Sequence, residues 1–159
     1  MAEFNGAPRG SGRRIVVVAS RFNETITRPL VDGALEALVA HGVAFEDIDV
    51  IWVPGAWELP LAARRSLSSG RYDALVALGA VIRGETPHFD FVAGEASRGL
   101  ANVCADAEIP VGFGLLTCDT MDQALARAGG AHGNKGWDAA LAALETTDVL
   151  DQIEPVDED

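Results

Sequence analysis

Ala74-Leu75-Val76-Ala77-Leu78-Gly79-Ala80-Val81-Ile82 carries no charge and runs directly into Arg83-Gly84-Glu85-Thr86-Pro87-His88. A continuous apolar run of this kind is a strand buried on both faces, the habit of a parallel sheet with helices on each side. Three other short runs, Ile15 to Ala19, Ile48 to Val53 and Val111 to Thr117, are β-branched and apolar enough to join it, and none is read as alternating polar with apolar.

Between these runs the periodicity turns helical. Leu30, Val31, Ala34, Leu35, Leu38 and Val39 recur at i, i+3 and i+4, and that helix should end with His41 before Gly42. A second helix is predicted from Trp57 to Leu67, and a third places Val92, Ala96, Leu100 and Val103 on one stripe. A fourth opens with the capping box Thr120-Met121-Asp122-Gln123, and the last carries Trp137, Leu141 and Leu144. Strands alternating with helices predict right-handed crossovers in an α/β fold: a three-layer α-β-α sandwich, flavodoxin-like, around a four-stranded parallel sheet. Ligands then belong at the carboxyl ends of the strands.

Composition narrows the classes. The 159 residues suit a single domain with its own core, and 48% hydrophobic against 23% charged residues is the balance of a compact soluble protein. No stretch is long and apolar enough for a membrane span, and the first fourteen residues lack a signal-peptide core, so a cytoplasmic protein is expected. Cys104 and Cys118 have no metal-ligand spacing and are read as reduced thiols. Of the net charge of −12, half comes from Asp148, Asp151, Glu154, Asp157, Glu158 and Asp159, and the overall sign argues against a nucleic-acid partner. Three segments follow: an arm at 1–13, ordered only if something docks it, a single domain at 14–150, and an acidic tail at 151–159.

The strand ends gather polar and aromatic groups: Ser20-Arg21-Phe22-Asn23, Pro54-Gly55-Ala56-Trp57-Glu58, Arg83 to His88, and Cys118-Asp119-Thr120. The third set says most. Thr86 is a good N-cap, Pro87 fits the first helical position, and Gly84 lets an anion approach backbone N–H groups at a helix N-terminus. His88 in that first turn, as a neutral imidazole, could accept and return a proton. The same residues also read as a capped helix with an incidental histidine. Phe22 is either a stacking platform for a planar heterocycle or a plug over the core, and Glu58 either accepts from sugar-alcohol hydroxyls or simply suits a helix start. In the glycine-rich segment Arg127 to Gly136, Arg127 could grip phosphate through its planar fork or sit as a favourable last-turn charge, and Lys135, the only lysine, could be a solvated amine.

Taken together, Ser20-Arg21-Phe22-Asn23, Val53-Pro54-Gly55-Ala56 with Glu58, Gly79 to Thr86 with His88, Phe113-Gly114-Leu115-Leu116-Thr117, and Arg127 to Gly136 resemble the lumazine synthase family across residues 14–148. The resemblance implies condensation of a ribitylamino-pyrimidinedione with a four-carbon keto-phosphate, a step of riboflavin biosynthesis, without metal or redox cofactor. It implies that Phe22 stacks on the pyrimidine, that the backbone of Ala56, Trp57, Ala80, Val81 and Ile82 hydrogen-bonds it, and that Glu58 holds the ribityl chain. Gly84, Glu85, Thr86 and Arg127 would hold phosphate, His88 would move protons, and Phe113 and Lys135 would close the pocket. In the family Phe113, Arg127 and Lys135 come from the neighbouring subunit.

Family members form pentamers, and many assemble twelve of them into an icosahedral shell that in some organisms encloses riboflavin synthase. The short turn from Gly129 to Gly136 has the form seen in shell-forming relatives, and the arm is read as able to dock on a neighbouring subunit. Two positions depart from the pattern: Ala131 stands where many relatives carry lysine, and Trp57 where a smaller group is common. A lumazine- or flavin-binding scaffold without activity is the competing reading, and the intact set Phe22, Glu58, Thr86, His88, Arg127 and Lys135 argues against it.

Overall fold

The four apolar runs form the strands β1 (Ile15–Ser20), β2 (Ile48–Val53), β3 (Ala74–Ile82) and β4 (Val111–Cys118) in a computed structural model that describes residues 1–153. They pair in the order β2-β1-β3-β4, all parallel. Ile15, Val17 and Ala19 of β1 pack into one apolar layer with α1 (Glu24–Ala40), α4 (Met121–Ala126) and α5 (Lys135–Gln152). Val16 and Val18 pack into the other with α2 (Leu59–Ser68) and α3 (His88–Ala107). The expected α-β-α sandwich is therefore present.

Burial on both faces holds only for the central strands. Every residue of β1 is buried, as are the first seven of β3, whereas β2 buries only Val53 and leaves Asp49 and Val50 exposed. β4 also exposes Phe113 and Thr117. Both are edge strands, and an edge strand of one subunit has fewer elements to cover it. Val39, counted in the first apolar stripe, is 48% exposed at the end of α1.

Local chemistry sets the element ends. Asn23 precedes α1 in the left-handed conformation (φ 62°), which asparagine tolerates better than most residues. A 3₁₀ turn, Ala56–Glu58, occupies the expected start of the second helix, and α2 begins only at Leu59. The capping box on α4 is present: Thr120 Oγ1 accepts from the Gln123 N–H at 3.2 Å, and Gln123 Oε1 accepts from Thr120 N at 3.3 Å. At the end of α1, His41 Nδ1 lies 2.7 Å from the Ala37 carbonyl, with its ring edge-on to Trp137.

The glycine-rich segment after α4 is a short antiparallel hairpin, β5 (Ala128–Gly130) and β6 (Gly133–Asn134). Positive φ angles at Gly129 and Gly133 turn the chain where side-chain-bearing residues would be strained. Asn134 then starts α5: its Oδ1 accepts from Gly136 and Trp137 N–H at 2.8 and 3.1 Å, and its Nδ2 donates to the Pro29 carbonyl at 3.0 Å. One side chain thus caps α5 and ties it to α1.

The arm makes contacts with α5 of the same chain. Ala7 N–H donates to Asp148 at 2.9 Å, Gln152 Nε2 donates to the Asn5 carbonyl at 2.7 Å, and Arg13 pairs with Asp151, all on α5. Because α5 reaches Gln152, the acidic tail expected from 151 begins inside a helix, and its residues 154–159 lie outside the described residues. Among the described residues no helix is long and apolar enough to cross a membrane.

The α1–α5 contact leaves no room for a methyl group at Gly136, where a Cβ would stand 2.0 Å from the Leu30 carbonyl oxygen. Gly136→Ala should destabilise the fold by about 2 kcal/mol through overpacking against backbone. At Gly94, in α3, a Cβ meets nothing within 4 Å of this chain, so Gly94→Ala should be neutral or stabilise by up to about 1 kcal/mol. Urea midpoints of the two variants measure this; equal midpoints would contradict the α1–α5 approach.

Candidate functional site

Between β1 and β3 the strand order reverses direction, because the chain steps from β1 outward to β2 and then back across to β3. At such a switch point the loops leaving adjacent strands diverge and open a crevice at their carboxyl ends. A cavity of about 350 Å³ lies there. Phe22 and Asn23 enter it after β1, Gly55, Ala56 and Trp57 after β2, and Ala80, Val81, Ile82, Gly84, Thr86 and His88 from β3 and the loop behind it. Phe89 and Val92 of α3 complete the wall.

The two aromatics at the mouth are largely exposed: Phe22 is 71% and Trp57 61% exposed. Leaving so much ring in water is unfavourable unless something flat covers it, and the apolar floor of Ala80, Val81 and Ile82 lies beside them. Asn23, whose role the sequence did not suggest, donates from Nδ2 to the Ala80 carbonyl at 3.0 Å, tying the first loop to the third strand. Its signal is an asparagine in the short connection between a strand and a helix, where a left-handed residue starts the helix.

The third loop differs in detail from its reading. Pro87, not Thr86, holds the N-cap position of α3, and His88 is the first helical residue. Thr86 stands one place earlier; its Oγ1 accepts from the His88 N–H at 3.5 Å, the long limit of such a bond. Proline cannot cap through its side chain, so the threonine hydroxyl and the N–H groups of the first turn stay available to a ligand. The space beside the Gly84 Cα is open to 4 Å. His88 is exposed and faces the cavity from this helix start.

Other expected residues lie apart from this cavity. Glu58 Oε2 accepts from the Gly55 N–H at 3.1 Å, fixing the second loop, and its side chain lines a separate shallow depression with Leu61 and Arg65. Glu85 is exposed on the third loop and outside the lining. Phe113 and Lys135 line a different concavity with Cys104, Gly112, Asp138 and Ala142, between β4 and α5. Arg127, at the end of α4, donates to the Gln123 carbonyl at 2.9 Å, while the Lys135 N–H donates to the Arg127 carbonyl at 2.8 Å. The base of the hairpin therefore joins Arg127 and Lys135 through their backbone, and neither side chain lines the cavity that His88 faces. Among the described residues, no three His, Cys, Asp or Glu side chains are grouped as metal ligands would be.

Comparison with known proteins bears on this arrangement. The sequence matches, over residues 12–151, a family model described as 6,7-dimethyl-8-ribityllumazine synthase. It is 68% identical over 158 residues to the 6,7-dimethyl-8-ribityllumazine synthase of Gemmatimonas aurantiaca, covering 99% of this chain and 96% of that protein.

Cys118, which ends β4 between Asp119 and the guanidinium of Arg127, is buried. Burial pushes its thiol above the ordinary value; Arg127 opposes that shift and Asp119 adds to it. The folded state thus keeps a proton that an unfolded thiol releases in its ordinary range, so this group's contribution to stability is lost as pH rises through that range. At pH 8 a disulfide reagent should modify Cys118 at least roughly tenfold more slowly in the folded protein than in urea. Equal rates, read site by site by mass spectrometry, would show that the thiol is neither buried nor protonated as described.

Proposed function

The chain belongs to the 6,7-dimethyl-8-ribityllumazine synthase family, transferases of riboflavin biosynthesis, and from that premise we propose that the cavity at the carboxyl edge of its sheet is half of a catalytic site. The observation that carries the proposal is the division of the expected site residues within one chain. Phe22, Trp57, Thr86 and His88 surround one cavity, while Phe113 and Lys135 line another. A ring of copies, each presenting its second face to the first face of the next, brings the halves together. A homopentamer meets that need, and twelve pentamers in a shell is the larger assembly we favour. The enzyme is assigned to the cytoplasm.

In this reading 5-amino-6-(D-ribitylamino)uracil lies on Phe22, with the backbone of Ala56, Trp57, Ala80, Val81 and Ile82 along its edge. The ribityl chain runs toward Glu58, whose carboxylate keeps lone pairs for hydroxyl donors beside its bond to Gly55. The phosphate of 3,4-dihydroxy-2-butanone 4-phosphate occupies the open loop at Gly84, Glu85 and Thr86, where the start of α3 offers N–H groups and a favourable dipole. Arg127 and Lys135 of the adjacent copy supply the countercharge, and Phe113 covers the ring.

The primary amine of the pyrimidine attacks the ketone, and loss of water gives an imine. Elimination then expels inorganic phosphate, and the resulting enol tautomerises to a ketone. The ribityl-bearing nitrogen attacks that ketone, and a second water leaves as the lumazine ring closes. His88 is placed to accept and return the protons these steps exchange, and holding the two substrates together supplies much of the acceleration.

Mixing the purified protein with both substrates should yield the fluorescent lumazine faster than the uncatalysed reaction. Arg127→Ala should raise the KM for the keto-phosphate roughly 10- to 100-fold, the worth of a charge-assisted contact to phosphate. An unchanged KM would remove Arg127 from the phosphate site. His88→Ala should slow turnover by about 10²-fold without abolishing it, since positioning persists. Complete loss of activity in a folded, assembled variant would mean that His88 does more than move protons.

A further inference from the structure

Arg83 lies between β3 and the phosphate loop, and no role has been given to it above. Its backbone N–H donates to the Cys118 carbonyl at 2.8 Å, extending the β3–β4 ladder by one residue. Its Nε donates to Asp119 at 2.8 Å, its Nη1 to Asp90 at 3.4 Å, and its guanidinium lies over the Phe89 ring, 4.4 Å from the centroid. Asp90 is in the first turn of α3, and Phe89 is a wall of the cavity. One side chain therefore reaches from the start of the Gly84–His88 loop to the helix turn where it ends, and also to the residue that leads into α4 and Arg127.

The loop between these anchors has little else to hold it. The one side-chain hydrogen bond within it is the long contact from the His88 N–H to Thr86 Oγ1, and nothing packs beside Gly84. We propose that Arg83 is a positioning residue: by clamping both ends of the loop to Asp119, the residue that follows β4, it preorganises the N–H groups and hydroxyl that receive phosphate. This rests on the assignment of phosphate to residues 84–88. The guanidinium is committed to two carboxylates and an aromatic face, so it acts through the loop and not as the anion's own partner. A planar fork satisfies two carboxylates while lying flat on a ring, which a lysine ammonium cannot do.

Steady-state kinetics on the assembled enzyme, with inorganic phosphate as a competing ligand, tests the proposal. Arg83→Ala should raise the KM for the keto-phosphate and the inhibition constant of phosphate roughly three- to tenfold, with the KM for the pyrimidine and kcat within about twofold of the parent. Arg83→Lys should recover only part of the loss. Asp119→Ala, which breaks the clamp but frees the guanidinium, should move both phosphate-dependent constants in the same direction, and the double variant should be no worse than Arg83→Ala. If Asp119→Ala instead tightens phosphate, Arg83 contacts the anion itself and the positioning role is overturned. If Arg127→Ala raises the KM for the keto-phosphate and Arg83→Ala does not, the clamp is wrong while the phosphate assignment stands. If neither variant moves it, the assignment fails and the clamp fails with it.

Discussion

The parallel pairing of β1 with β3, Ile15 opposite Ala74 through to Ala19 opposite Leu78, is the constraint on which the rest of the molecule depends. These central strands are buried on both faces, so each must be covered by helices above and below, and the connections must cross over. Because β2 lies on one side of β1 and β3 on the other, the loops after β1 and β3 part company at the carboxyl edge. The cavity is the space they leave. Its floor is the end of β3, its mouth is the aromatic pair Phe22 and Trp57, and its polar end is the start of α3.

A second constraint separates the remaining functional groups from that cavity. β4 is the far edge of the sheet, and α4, the hairpin and α5 follow it. Asn134 anchors this unit by capping α5 and reaching the Pro29 carbonyl of α1, while the backbone bond between Lys135 and Arg127 closes the hairpin's base. The backbone that carries the two cations is thus fixed by hydrogen bonds, and neither side chain lines the cavity that His88 faces. Exposure at this edge, with Phe113 46% accessible, has the same sense as exposure at the cavity mouth. Each chain carries two incomplete apolar faces that a neighbour can cover.

Much of this was readable from residues alone, and the failures have physical causes. Strand identities, the crossover topology and the capping box on α4 follow from local periodicity and hydrogen-bond chemistry, which act within a few residues. The burial of β2 was misread because an apolar run does not reveal whether its strand is central or an edge. Thr86 was misplaced by one position because Thr-Pro allows proline at either the cap or the first turn, and backbone geometry decides between them. The strand pairing at 128–134 does not show in the sequence because glycines mark both flexibility and tight turns. Asn23 and Arg83 escaped notice for a common reason: their partners, Ala80, Asp90 and Asp119, are brought to them by the fold rather than by spacing.

Those two side chains also show how a fold with few buried polar groups positions flexible loops. Asn23 joins the first loop to β3, Arg83 joins the third loop to Asp119 just after β4, and the Phe22 N–H donates to the Pro54 carbonyl at 3.0 Å, so the walls of the cavity are tied both to the sheet and to each other. Between the ties the chain is left bare: Gly84 is unobstructed, Thr86 is barely engaged, and the first turn of α3 has no side-chain cap. Unsatisfied N–H groups at a helix start are tolerable in water and become useful when an anion replaces that water. A tighter cap at Thr86 would stabilise α3 but would use on the protein's own backbone the donors that the proposed phosphate site needs.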